Sequence, residues 1–258
     1  MRRLTHKVHW DSTYGARRQR SPLQLAGVRS HMNRLILEKL VEVGLEGRRI
    51  LEVGAGDSMW LPFIAKNFPS SQCVGLDYSE TGCALLAERA REEGVKIDVV
   101  NEDLFANNSR LHRSFDVVLS FGVVEHFDDL GLALLTKSRY AKSGGMVFTL
   151  IPNMAGILGT LTRIWNRKIY DQHNPHNWAS FERGHQQAHL NVVTGGYLGS
   201  NSFGVLSSCF PEHKGISWHL YRVLVAISLA TWSLEHKVGT LPCSATFSPY
   251  MYAVSRAV

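Results

Sequence analysis

The run Ile50-Leu51-Glu52-Val53-Gly54-Ala55-Gly56-Asp57-Ser58 constrains the chain more than any other stretch. A short apolar segment bounded by glycines is too brief for a helix and reads as a buried strand of a parallel sheet. The two glycines let the backbone turn sharply and pass close to a ligand. Asp57 or Ser58 can then cap the helix that follows. Strand, tight turn and helix start together make a nucleotide-sized corner, although the same turn also serves simply to pack a helix on a sheet.

The side chains narrow the ligand. A dinucleotide fingerprint wants a third glycine where Met59 stands and no carboxylate beside a pyrophosphate. Here Glu52 and Asp57 bracket the turn. A cationic ligand without phosphates suits this corner better than NAD, and S-adenosylmethionine, with its sulfonium and ammonium, is such a ligand.

With 258 residues, 45% hydrophobic and 19% charged, the chain can bury one sizeable core and is not broadly disordered. Cys73, Cys83, Cys209 and Cys243 are scattered, with no Cys-x-x-Cys and no zinc spacing, and read as reduced thiols of a cytoplasmic protein. The basic start Met1-Arg2-Arg3-Leu4-Thr5-His6-Lys7 lacks the apolar core of a signal peptide. The apolar stretch Val223 to Leu234 is shorter than the ~20 residues needed to span a bilayer, so no transmembrane segment is expected. The net charge of +6 suits an anionic partner, yet the basic residues form no run apart from Arg17-Arg18-Gln19-Arg20, and nucleic acid is not the expected partner.

Along the chain, His9-Trp10-Asp11-Ser12-Thr13-Tyr14-Gly15 forms an aromatic-rich arm that either lies over a cofactor or pins itself to the core. Helical spacing from Pro22 to Val43, stopped by Gly44, predicts a helix before the first strand. A second helix follows the glycine turn through Trp60, Leu61, Ile64, Ala65 and Phe68. The next strand, Cys73 to Asp77, brings Asp77 about twenty residues past the turn, where a carboxylate can accept from both hydroxyls of a ribose.

Ser79 caps a helix whose charges, Glu88, Arg89, Arg91, Glu92 and Glu93, read as a solvated face. Strand Ile97 to Val100 delivers Asp103 and Leu104 to the same edge, where Asp103 either takes an adenine amino group or closes an Asx turn. Phe115 to Phe121 is a fourth strand, Ala133 to Ala141 a helix, Gly144-Gly145 a turn and Met146 to Ile151 a fifth strand. This alternation predicts an α/β, Rossmann-like, doubly wound parallel sheet with its ligand outside the carboxyl ends of the strands.

These segments resemble the class I S-adenosylmethionine-dependent methyltransferases of small-molecule type, bacterial sugar and natural-product enzymes among them. The likeness runs from about Arg49 to Asn153 and rests on Glu52-Val53-Gly54-Ala55-Gly56, Gly75-Leu76-Asp77, Glu102-Asp103-Leu104, Phe115-Asp116-Val117-Val118 with Glu125-His126-Phe127, and Gly144-Gly145. The resemblance implies a seven-stranded sheet whose last strand, Thr246 to Ser255, is antiparallel. It also implies that Glu52, Gly54 and Gly56 surround the methionine part, Asp77 binds the ribose, and Asp103 with Leu104 holds the adenine; Ala55 and Tyr78 are expected among the cofactor-binding residues. Phe121, Trp10 and Tyr14 complete the cofactor set.

The chain departs from the commonest form at Ser58, where a third glycine is usual. The Asn/Asp-Pro-Pro-aromatic signature of nucleic-acid amine methylation is absent after the fourth strand, where Ser120-Phe121-Gly122-Val123 stands. Tyr170-Asp171-Gln172-His173 is similar to a segment of enzymes acting on sugars or natural products.

The resulting domain reading places an N-terminal arm and helix over the cofactor pocket at 1–48, and the class I domain at 49–258. Within it, 154–178 is an acceptor cap and 209–240 a helical insertion. The apolar helix Ser217 to His236 either lines a greasy acceptor pocket or forms a homodimer interface. Phe181 to His189 is expected as a helix and Val192 to Leu198 as a sixth strand.

Transfer to a hydroxyl needs a base, for which His126 is the first candidate, His173 the second, with Tyr170, Tyr14 and His176 behind them. No metal is expected, because His173-x-x-His176 has only Asp171 nearby. The expected activity is methyl transfer to oxygen or nitrogen of a small acceptor, a sugar or secondary metabolite, anionic ones included. The alternatives are a nucleotide-cofactor oxidoreductase, a C-methyltransferase of a lipophilic or anionic metabolite, and a non-catalytic cofactor-binding scaffold.

Overall fold

The apolar run at Ile50 forms the central strand β1 (Arg49–Val53), buried from its second residue onward. In the computed structural model, which describes residues 2–16, 21–106 and 110–258, it is flanked on both sides by parallel partners. The basic run Arg17-Arg18-Gln19-Arg20 lies outside the described residues. Helices α1 (Lys7–Gly15) and α2 (His31–Val43) precede β1. After it come α3 (Trp60–Asn67), β2 (Gln72–Asp77), α4 (Glu80–Glu92), β3 (Ile97–Asn101) and β4 (Phe115–Phe121). The second half comprises α5 (Leu130–Ser138), β5 (Ala141–Pro152), α6 (Ile157–Trp165), α7 (Arg167–Tyr170), α8 (Trp178–Gln187), β6 (Leu190–Leu198), α9 (Ile216–Val238) and β7 (Tyr250–Ala257).

The strands form one seven-stranded sheet in the order β3-β2-β1-β4-β5-β7-β6. Pairing is parallel from β3 to β5, and β7 runs antiparallel between β5 and β6. Order reverses beside β1, and the crevice outside the ends of β1 and β4 is the place where a doubly wound sheet holds its ligand. Two apolar layers cover the faces, one built on Leu51, Val118 and Phe181, the other on Ile50, Leu61 and Phe148.

Several boundaries differ from the sequence expectation for local reasons. Gly27 has φ +79, which breaks helical continuity, so α2 begins at His31 instead of Pro22. The N-terminal arm is itself helical over 7–15. Its periodicity is weak because Tyr14 alone among its residues is buried.

Asp129 accepts from Leu132 N at 2.9 Å and so starts α5 earlier than Ala133. Gly144, with φ +75, belongs to an irregular stretch inside β5, where the register jumps from Phe115↔Ala141 to Val117↔Met146. The last strand begins only at Tyr250, because Pro249 has no N–H to give a ladder. Arg89 is 5% exposed and not part of a solvated face.

The region after β5 builds a satellite core. Leu158 of α6, Phe203, Leu206 and Phe210, and Tyr221 of α9 pack together. The opposite face of α9 presents Ile216, Leu220, Val223 and Ile227 to solvent. Among the described residues, no helix is long and apolar enough to cross a membrane.

Candidate active site

At the carboxyl end of β1, Gly54 turns with φ +72, and a side chain there would meet Val123 Cγ2 at 2.5 Å. This close approach brings the turn against the loop leaving β4. Glu52, 3% exposed, points into the corner and accepts from Ser58 Oγ at 2.7 Å. Ser58 Oγ in turn accepts from Trp60 N and Leu61 N at 3.0 and 3.1 Å, which caps α3 and is worth about 0.5–2 kcal/mol.

Burial pushes the Glu52 carboxyl up to about 8, opposed only in part by the Ser58 hydroxyl. Among the described residues no cation pairs with it. Asp57, by contrast, is already paired with the buried Arg89 guanidinium at 3.0 Å. Of the two carboxyl groups that bracket the turn, Glu52 is the one left without an ion-pair partner among the described residues, so a cationic ligand would favour its ionisation.

Asp77 ends β2 with both oxygens turned toward the backbone: Oδ2 accepts from Gly56 N and Oδ1 from Ser79 N, each at 2.8 Å. Burial raises its pKa and these two donors oppose the rise. Each carboxylate oxygen can accept a second bond, so a diol can still be held. Over this corner lies the Tyr14 ring of α1, 2.8 Å from where a Gly56 Cβ would stand and 2.7 Å from a Gly82 Cβ. Helix α1 is thereby keyed between the glycine turn and α4, and Trp10 follows it at 5.8 Å from Tyr14.

The chain ahead of α1 is held against the loop after β4 by Leu4 N donating to His126 O at 2.8 Å and Asp128 N donating to Arg2 O at 3.1 Å. This places Arg3 on both carboxylate oxygens of Asp103. The guanidinium also lies over Tyr78, Phe105 and Phe127, 5.2 to 5.9 Å from their ring centres. A recess of about 50 Å³ remains between Arg3, Leu76, Asp103 and Leu104.

At the other end, Glu125 and His126 leave β4 in a 3₁₀ turn (Val124–His126). His126 Nδ1 lies 2.7 Å from Gln172 O, and His173 Nδ1 lies 2.8 Å from Ile169 O. A bond from Asn174 N to Glu125 O at 2.7 Å ties the two loops together. The rings of His126 and His173 are 4.7 Å apart, and Trp10 meets His126 edge-on at 5.3 Å. Burial drives the His126 imidazole down to about 3 and lowers His173, so both are neutral near pH 7.

Beneath them, fully buried Lys137 donates to Ser120 Oγ, Phe148 O and Thr149 Oγ1 at 2.6 to 2.9 Å, with its pKa pushed well below the usual value by burial.

The cavity enclosed by these elements has a volume of about 350 Å³. Of the residues expected from sequence, Trp10, Tyr14, Glu52, Gly54, Asp77, Tyr78, Phe121 and His126 line it. Asp103 and Leu104 line the adjoining recess. Ala55 is fully buried, and Gly56 is covered by Tyr14.

His173 reaches the site through its contact with His126. Tyr170 and His176 do not line the cavity: Arg163 lies over the Tyr170 ring at 6.0 Å, and His176 Nδ1 faces Ser180 Oγ at 3.4 Å. No described residue of α6 or α9 lines the cavity. Sequence reasoning missed Arg3, Thr5 and Trp60, which stacks on Phe121 at 5.6 Å. Only the basic, aromatic character of the arm hinted at the first two.

Comparison with known proteins is consistent with this geometry. A family model described as a methyltransferase domain matches residues 51–147. A ubiquinone biosynthesis O-methyltransferase of Agrobacterium fabrum is 33% identical over 112 residues, 42% of this chain and 42% of the relative. The chain thus matches under half the length of that curated relative.

Among solved structures, geranyl diphosphate C-methyltransferase from Streptomyces coelicolor A3(2), in complex with Mg²⁺, geranyl diphosphate and S-adenosyl-L-homocysteine, superposes with TM-score 0.61 at 13% identity, covering 98% of each chain. A SAM dependent methyltransferase from Aquifex aeolicus gives TM-score 0.57 at 14% identity, over 90% of this chain and 94% of the other. These likenesses show the fold.

Proposed function

We propose, from the premise that residues 51–147 belong to the methyltransferase domain family, that the protein transfers a methyl group from S-adenosylmethionine to an oxygen of a small acceptor. The observation that carries this reading is the buried Glu52 carboxyl, with no ion-pair partner among the described residues, in a cavity that Asp77 also lines. An ammonium at Glu52 and a ribose diol at Asp77 supply what the two groups lack. The glycine cradle fits such a ligand: Gly54 and Gly56 leave no room for a side chain, and Trp60 and Phe121 offer an apolar wall. The adenine end fits with Arg3 displaced from Asp103, since the guanidinium now takes the acceptor atoms that an amino group would use.

When bound, the cofactor supplies an electrophilic methyl group for in-line displacement. The chain's contribution is alignment and a dry site. Trp10 and Tyr14 close the cavity on the side of α1. His126, neutral and at the cavity wall, accepts the acceptor's hydroxyl proton at the imidazole nitrogen left free by the Gln172 carbonyl. The hydroxyl reading draws on that placement and on the printed O-methyltransferase names of the relatives.

The acceptor is a small molecule entering between the His126 loop and the segment around His173. The free thiols Cys73, Cys83, Cys209 and Cys243 suit a cytoplasmic location. The test is a screen of hydroxylated small molecules with methyl-labelled cofactor: labelled product that vanishes in Asp77→Ala supports the reading, and cofactor binding unchanged by that substitution contradicts it.

A further inference from the structure

We propose that Glu125, His126 and His173 form a binding site for a divalent first-row transition-metal ion at the acceptor end of the cavity. One donor atom from each residue lies within 4.8 Å of the others. Small side-chain rotations close that spacing to the edge of a coordination sphere with metal–ligand distances of about 2.1 Å.

Three independent features point the same way. Both carboxylate oxygens of Glu125 are buried and have no hydrogen-bond partner among the described residues. The nearby Lys137 Nζ is already engaged by Ser120 Oγ, Phe148 O and Thr149 Oγ1. A buried carboxylate in this position is costly unless a cation arrives.

The imidazoles are set as ligands. Each directs Nδ1 at a backbone carbonyl, His126 at Gln172 O and His173 at Ile169 O. That bond fixes the Nδ1–H tautomer and leaves Nε2 as the lone-pair donor, the outer-shell arrangement usual for metal-binding histidine. Two nitrogens and one carboxylate favour zinc, manganese, iron or cobalt over the all-oxygen sites of magnesium and calcium.

The sequence concealed this set because the nearby pair His173-x-x-His176 drew attention, whereas His176 bonds elsewhere and the true partners lie 47 and 48 residues upstream, by subtraction of 126 and 125 from 173. Three protein ligands leave positions open, and His126 lines the cavity, so those positions face the acceptor. On the methyl-transfer reading, an ion here would hold the acceptor oxygen and lower its pKa, replacing His126 as the means of activating the hydroxyl, because the Nε2 lone pair would then be bound to the ion. The site itself does not depend on that reading.

The test is a cobalt(II) titration of the chelator-treated full chain, followed by visible absorption and calorimetry. We expect one ion per chain at micromolar affinity or tighter, weakened at least tenfold in Glu125→Gln, His126→Gln and His173→Gln, and unchanged in His213→Ala. Near-ultraviolet circular dichroism identifies variants that stay folded. Zinc should also raise the wild-type melting temperature and leave that of folded Glu125→Gln unmoved. Absence of binding, or binding equally strong in the folded ligand variants, overturns the proposal. S-Adenosylhomocysteine binding measured on the same samples separates the two claims, because its loss with metal uptake intact counts against the methyl-transfer reading alone.

Discussion

Arg3 Nη2 sits on both carboxylate oxygens of Asp103 beside the recess lined by Leu76 and Leu104, and if the adenine lies there, as proposed, the N-terminal arm and the nucleotide compete for one carboxylate. The pair is partly solvent-exposed, which limits its worth to about 0–1 kcal/mol. Arg3→Ala is therefore expected to tighten S-adenosylhomocysteine binding by up to about fivefold. Calorimetry checks this, and weaker binding would instead make Arg3 a cofactor contact.

Glu52 sets a pH signature. Its pKa is raised from the ordinary value of 4.5 to about 8, so its contribution to stability is full below about 4.5 and is lost as pH rises through about 8. Glutamine at this position does not titrate. The melting temperature of Glu52→Gln relative to wild type, both ligand-free, should climb between pH 6.5 and 8. Parallel melting curves across that window would show that Glu52 is ionised in the free protein.

Tyr14 and Gly82 test the docking of α1. An alanine Cβ at Gly82 would stand 2.7 Å from the Tyr14 ring and 2.8 Å from Gly56 Cα, and the backbone atom cannot swing aside. Gly82→Ala should cost about 1–3 kcal/mol. Its melting point should fall by roughly 2–4 °C for each kcal/mol. The same substitution at Gly94, which meets nothing within 4 Å but has φ +66, should act through backbone strain alone and leave cofactor affinity intact.

His126 and Tyr170 separate two base candidates. His126 lines the cavity, whereas Tyr170 sits beneath Arg163. His126→Gln is expected to lower kcat by about 10²–10⁴-fold. Tyr170→Phe should leave kcat within about twofold, a surface change of under ~0.5 kcal/mol. Steady-state kinetics on an acceptor found by screening distinguishes them.

The gathering of Glu52, Gly54 and Asp77 around one cavity was legible because its signals are local. A buried parallel strand is an apolar run, a tight turn needs glycine, and Asp77 follows at the spacing that one crossover imposes. The contacts at the other end of the cavity were not, because they cross the chain: Glu125 and His126 meet His173 only after α6 and α7 have folded back, and Arg3 reaches Asp103 from 100 residues away.

Arg89 was misread as surface since a charged residue in a helix rich in Glu and Arg gives no hint of the buried Asp57 it serves. Buried Lys137 was equally silent, its three acceptors being two hydroxyls and a carbonyl on β4 and β5.

The central claim is that the corner of Glu52 and Asp77 holds S-adenosylmethionine. Isothermal titration of the full chain with S-adenosylhomocysteine is the most direct measurement. Micromolar binding at one site is expected, abolished in Asp77→Ala, with no binding of NADH. Binding of NADH in place of S-adenosylhomocysteine would contradict it.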